Sequence, residues 1–217
     1  MKKSIMGFLL IGIIVALAIT TGCKKDDDNN NDNPPDNQTG TFTDSRDSKT
    51  YNWVKIGNQV WMAENLAYQP RTVNYWAYNN NESNVAIYGY LYSWEIAQTI
   101  APTGWHMPSK EEWRTLVNYL GGEDKAYDKL LENGTTHWDV PNSATNESGF
   151  TALPAGYFDQ RDNSFNYLGH LTMFHSSTEY SGDTTSAMGL ILNQNFQEAG
   201  IEGRPKALAL SIRCVKD

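Results

Sequence analysis

The stretch that decides the fold class is PSKEEWRTLVNYLGG, Pro108 to Gly122. Ser109 can cap a helix, and Glu112 stands three residues later, which is the spacing of a capping box. Trp113, Leu116, Val117 and Leu120 recur at i, i+3, i+4 and i+7, so a helix over Ser109–Leu120 has one apolar face. Gly121-Gly122 then stop it. A second helix is expected over Glu123–Glu132, with Ala126, Tyr127, Leu130 and Leu131 turned inward and Asn133-Gly134 ending it.

Away from these helices the apolar period shortens to two. Thr50–Ile56 (TYNWVKI) alternates, Gly57-Asn58 reads as a turn, and Gln59–Met62 returns as the second arm of a hairpin. Downstream, the β-like runs Phe150–Leu153, Leu171–Phe174 and Ala187–Leu192 are separated by Gly, Asn and Asp turns. The segment Ala207–Val215 sets Leu208, Leu210, Ile212 and Cys214 on one face and Ser211 and Arg213 on the other, a strand with one buried side. Helices before strands, without regular alternation, define an α+β class: two helices packed on short antiparallel strands with long loops.

The chain of 217 residues begins with an address. Lys2 and Lys3 precede a largely apolar run from Ile5 to Ile19. That is shorter than the ~20 residues a membrane-spanning helix needs, and it suits a signal peptide. Thr20-Thr21-Gly22-Cys23 places small residues before a single cysteine, as in a bacterial lipobox, although Thr20 stands where Leu is usual. Residues 1–22 are therefore expected to be a lipoprotein signal peptide and Cys23 the lipidation site, with plain secretion as the alternative. KKDDDNNNDNPPDNQ (Lys24–Gln38) holds no apolar side chain besides its prolines. Residues 23–40 thus read as a disordered acidic tether and 41–217 as one folded domain. The KKDDD opening resembles the export signal of surface lipoproteins in the Bacteroidetes, with a generic spacer as the alternative, and the expected location is the outer membrane, lipid-anchored and facing outward.

Seventeen Lys and Arg against 25 Asp and Glu give −8, and removing Lys2 and Lys3 with the leader leaves −10. Such a surface is wrong for a phosphate backbone, so nucleic acid is not an expected partner, and membrane contact is expected through the lipid alone. Two cysteines build neither a disulfide scaffold nor a four-thiolate zinc site.

Six blocks carry a family resemblance. IGNQVWMAENL (Ile56–Leu66), GYLYSW (Gly89–Trp94), APTGWHMPSKEEW (Ala101–Trp113), TNESGFTALPAGY (Thr145–Tyr157), SSTEY (Ser176–Tyr180) and SIRCVKD (Ser211–Asp217) resemble, in order, the Fibrobacter succinogenes major paralogous domain (FISUMP). GWHMPSKEEW is also similar to a helix start in the formylglycine-generating enzymes. The resemblance implies a C-type lectin-like fold and an extracytoplasmic location, and it supplies no catalytic residue. Many members begin the third block with a cysteine that partners the one in the final block. Here that position is Ala101, which leaves Cys214 expected as an unpaired, buried thiol.

No reaction is marked. His106, His137, His170 and His175 show no metal-ligand spacing, and each is expected to be a hydrogen-bonded structural residue. Ser176-Ser177 sit in no nucleophile elbow, no Gly-rich phosphate loop occurs, and the calcium motifs of sugar-binding lectins are absent. No catalytic residue, metal or cofactor is assigned, although a carboxylate pair among 25 acids would leave no mark in sequence.

The positive signal is aromatic, with seven Trp and twelve Tyr. Tyr88, Tyr90, Tyr92 and Trp94 would share a face if extended, and most of these rings are expected in the core. Trp76 and Tyr78, flanked by Asn79–Asn84, are expected at the surface, as is a segment carrying Tyr157, Phe158, Asp159, Arg161 and Phe165, read either as a long binding loop or as a plain solvated hairpin. These seven are the candidate ligand-binding residues, because exposed rings stack on sugars or anchor protein interfaces. The expected function is a cell-surface binding or adhesion module for a glycan or protein. A structural subunit of the envelope or of a surface appendage is the alternative, with an unrecognised hydrolase behind it.

Overall fold

The computed structural model describes residues 38–139 and 143–217. Cys23, the leader and most of the tether lie outside them. β1 (Thr39–Thr43) begins two residues ahead of position 41 and pairs with β2 (Thr50–Ile56), which pairs in turn with β3 (Gln59–Met62). Alternation in β2 buries Tyr51, Val54 and Ile56, and its hairpin with β3 has the boundaries read from sequence.

A loop-rich stretch follows: β4 (Tyr75–Trp76), two short 3-10 turns at Tyr78–Asn80 and Glu82–Asn84, α1 (Val85–Tyr88), β5 (Leu91–Tyr92) and α2 (Trp94–Ala97). β6 (Trp105–His106) leads into α3 (Lys110–Tyr119) and α4 (Glu123–Leu130). The remaining strands are β7 (Tyr157–Asp159), β8 (Ser164–Asn166), β9 (Leu171–Glu179), β10 (Ser186–Asn193), β11 (Glu198–Pro205), β12 (Leu208–Ala209) and β13 (Val215–Lys216). They form antiparallel sheets in the orders β1-β2-β3-β13-β6, β11-β10-β9, β12-β7-β8 and β4-β5. Among the described residues, four helices and several antiparallel sheets make a mixed α+β fold.

The capping box at the head of α3 is complete. Ser109 Oγ accepts from the Glu112 amide at 3.2 Å, and the Ser109 amide donates to Glu112 Oε2 at 2.8 Å. Below it, α3 and α4 cover the β9–β11 sheet. Trp113 stacks on Trp61 at 4.5 Å, Phe150 stands edge-on to both, Phe174 is tilted against Trp113, and all four rings are sealed from solvent.

Three expectations change. Phe150–Leu153 is not a strand: only Ala152 bridges, to Leu131, because the segment is spent on burying the Phe150 ring. Tyr88–Trp94 is not one extended face. Tyr88 ends α1, Gly89 turns the chain at φ 71°, and Ser93 caps α2. A Cβ at Gly89 would stand 2.6 Å from the Leu66 carbonyl oxygen, so the turn needs glycine.

Ala207–Val215 is buried on both faces rather than one. It breaks into β12, single bridges from Leu210 to Tyr92 and from Ser211 to Phe174, and β13. Ser211 and Arg213 are as sealed as Leu210, Ile212 and Cys214. Arg213 stays there because its guanidinium donates to Asn65 Oδ1 at 2.6 Å, to the Met62 carbonyl at 3.2 Å, to the Thr151 carbonyl at 2.9 Å and to the Phe150 carbonyl. Backbone oxygens of two other segments thus take the place of solvent.

Candidate functional site

β4 is only two residues long, yet its pairing with β5 fixes Tyr75 opposite Tyr92 and Trp76 opposite Leu91. On either side the backbone turns through positive φ, at Asn74 (74°), Asn79 (55°) and Asn80 (54°). Asn tolerates this region better than other side chains with a Cβ, which explains the Asn-rich composition of the loop. The turns wrap an open cavity of about 410 Å³ lined by Val73, Asn74, Tyr75, Trp76, Asn80 and Glu82 among others.

Its groups are held from behind. Tyr75 packs edge-on to Tyr90 at 5.1 Å and accepts a hydrogen bond from Gln69 Nε2 at 2.9 Å. The Tyr90 hydroxyl donates to Glu82 Oε2 at 2.7 Å. Burial, with the Glu82 charge added, pushes the Tyr90 phenol above its ordinary pKa, so it remains a donor and keeps the carboxylate aimed. The Trp76 indole is half-buried and stacks on Phe158 at 4.5 Å.

Both candidate segments therefore meet in one aromatic layer. Phe158 packs against Phe165 at 4.7 Å, Phe165 against Tyr78 at 5.2 Å, and the Tyr78 hydroxyl accepts from the Leu168 amide at 3.3 Å. This packing overturns part of the expected exposure. Tyr78 and Phe158 are buried, and Trp76 and Phe165 are half-buried, because each segment supplies the apolar surface that covers the other. Of the two forms expected for the segment after Tyr157, the structure has the hairpin, formed by β7 and β8. Tyr157 is half-buried and stacks on Tyr167 at 5.8 Å.

Asp159 is buried as well, and it is occupied. Arg161 Nε and Nη2 donate to its two oxygens at 2.9 and 2.6 Å, and these bonds hold the Asp159 carboxyl below its ordinary range. The pair closes the hairpin, and only Arg161 faces solvent. Of the seven candidates, Trp76 lines the cavity directly, Tyr78, Phe158 and Phe165 support it, and Tyr157, Asp159 and Arg161 stand in the adjoining hairpin. Asn74, Tyr75 and Glu82 also line the cavity and are not among the seven candidates. Their one signal is the density of Asn and Tyr around them.

Each histidine has a partner. His106 bridges Glu112 through Nε2 and Asp217 through Nδ1, both at 2.7 Å. His137 meets Glu132 at 2.8 Å, and His170 meets Asp139 at 3.0 Å. His175 is fully buried, and its Nε2 lies 2.7 Å from the Tyr92 carbonyl, to which it donates. Burial pushes its pKa down to about 4, so it is neutral near pH 7. Cys214 is free and sealed, and burial pushes its thiol up to about 12. Among the described residues, no group of three or more His, Cys, Asp or Glu could hold a metal ion.

The chain is thus a mixed α+β domain of small antiparallel sheets, with an aromatic cavity braced from within. Residues 54–216 match the family model of the Fibrobacter succinogenes major domain, and the chain belongs to that family. No curated protein and no solved structure matches it.

Proposed function

We propose that the protein is a binding module, displayed on a lipid anchor at the outer face of the outer membrane, that takes a glycan at the Trp76 cavity. The observation that carries this reading is a half-buried indole, rigidly backed by Phe158, in a cavity whose other groups are amides, a phenol and an oriented carboxylate. A sugar presents an apolar C–H face to a ring and hydroxyls to such groups. A protein partner would need a flat patch of standard interface size, to which a cavity of about 410 Å³ is less suited. A C-type lectin-like arrangement is part of the proposal. Support for it comes from β13, which returns to pair with β3 and joins both ends of the domain in one sheet. The lipid anchor rests on the Cys23 sequence pattern alone.

The test is a glycan array on the chain without its leader, followed by calorimetry on any hit. Trp76→Ala is expected to weaken binding about tenfold, the equivalent of ~1.4 kcal/mol. An array with no ligand, or a hit that Trp76→Ala binds equally well, would sink the reading.

A structural-subunit reading has one observation of its own. Phe196 is 71% exposed at the tip of the β10–β11 hairpin, beside the free edge of β11. Sedimentation of the chain as a monomer at high concentration would remove it.

A further inference from the structure

Arg213 is fully buried, and all of its hydrogen bonds go to neutral oxygens. Among the described residues no carboxylate reaches it within ion-pair distance, and Glu64 acts only from farther away. A buried charge in that condition costs several kcal/mol relative to one with a counter-ion. Burial also depresses its pKa, but only to about 9, so the guanidinium remains charged near pH 7.

A guanidinium has five N–H groups. Nε gives one to Asn65, Nη1 gives two to Met62 and Phe150, and Nη2 gives one to Thr151. One Nη2 hydrogen is left without an acceptor among the described residues. Arg213 also lines a cavity of about 150 Å³, together with Val85, Ala86 and Ile87 of α1 and the charged residues Lys49 and Glu64. At ~30 Å³ per water, that is room for a carboxylate carrying one or two carbons.

The charges decide the sign of the occupant. The Trp76 cavity holds the charged group Glu82, and the groove beside Trp53 holds Glu64. A cavity on the outer face of the β9–β11 sheet holds Glu198, Glu202 and Arg204. Each has a net charge of −1. The Arg213 cavity, with Lys49 and Arg213 against Glu64, has +1 on a chain of −8. Glu64 is itself engaged, since Oε1 accepts from both the backbone amide and the side-chain amide of Asn52.

We infer that the Arg213 cavity is an anion site for a carboxylate group, received by the spare Nη2 hydrogen with Lys49 as the second cation of the lining. The group belongs either to a small free carboxylate or to an acidic sugar. The Trp53 groove shares Ala63, Glu64 and Thr151 with the cavity, and its 550 Å³ would house a sugar ring. The Trp53 and Arg213 cavities share no lining residue with the Trp76 cavity, so this site stands or falls separately from glycan binding there.

The test is calorimetry on the leaderless chain with acetate, glucuronate and glucose. At least one carboxylate is expected to bind while glucose does not. Similar affinities would identify a free carboxylate as the ligand, and a much tighter glucuronate an acidic sugar. Lys49→Ala should weaken binding about 2–5-fold. Ile87→Glu, at a position already 44% exposed, brings a like charge to the wall and should abolish binding without disturbing the core. Silence from both carboxylates up to about 50 mM, or binding that survives Ile87→Glu, would overturn the assignment.

Discussion

Trp61 and Trp113 stack in a core where every ring is closed off from solvent, whereas Trp76 stacks on Phe158 with part of its indole still open. Both are pairs of large rings about 4.5 Å apart. They differ in what stands behind them. The first pair joins α3 to β3 and packs against Phe150 and against Phe174 of the nine-residue β9, so helix and sheet enclose it. The second lies between two-residue and three-residue strands and loop turns, which cover the buried face and leave the other. Regular elements seal aromatics into a core, and short elements braced against one another present them.

The contrast can be broken by deletion. Trp113→Ala should cost about 3–5 kcal/mol in denaturant unfolding, as expected for truncating a sealed aromatic. A loss near 1 kcal/mol would show that the helix-backed core is no tighter than the aromatic layer.

The sealed region also contains His175, whose carbonyl accepts from Trp113 Nε1 at 3.2 Å. Its folded pKa of about 4 lies below the ordinary histidine value of about 6.5, so protons favour the unfolded chain. Stability should therefore be full above about pH 6.5 and fall as pH drops toward 4, by about 3 kcal/mol across that window. Urea titrations at pH 7 and pH 4 measure this directly. An absence of acid loss would mean that water reaches the imidazole.

Next in size, Phe165→Ala in the half-open layer should cost about 1–2 kcal/mol, since only part of the ring leaves water. If it costs as much as Trp113→Ala, the two regions are equally closed.

The smallest effect lies at the surface. His106 gains Glu112 and Asp217 on folding; desolvation opposes them, but they raise its pKa above the usual value. Its contribution is therefore complete below about pH 6.5 and disappears as pH rises through the folded pKa. An NMR titration of Asp217→Asn should show the His106 pKa lower than in the parent chain. An unchanged value would leave Glu112 as the whole cause.

Legibility followed the same division. The capping box, the apolar face of α3 and the β2–β3 hairpin were readable because their determinants lie within a few residues of one another. The union of Trp76 and Tyr78 with Phe158 and Phe165 was not, because each segment read by itself is an aromatic stretch beside polar turns. Arg213 was misplaced for a related reason. Alternation assumes one wet face, and this strand lies between two packed layers. In Tyr88–Trp94, Gly89 and Ser93 were visible breakers that outweighed the aromatic alternation.

The position of β13 bears on how the molecule is made. It inserts between β3 and β6, strands separated from it by more than half the chain. While the polypeptide is synthesised from its N-terminus, those two strands face a missing neighbour, with amides and carbonyls unpaired. The five-stranded sheet can close only after residue 215 emerges. Until then the early hairpin is exposed to wrong pairings, and a holding factor acting during synthesis would have most to protect there.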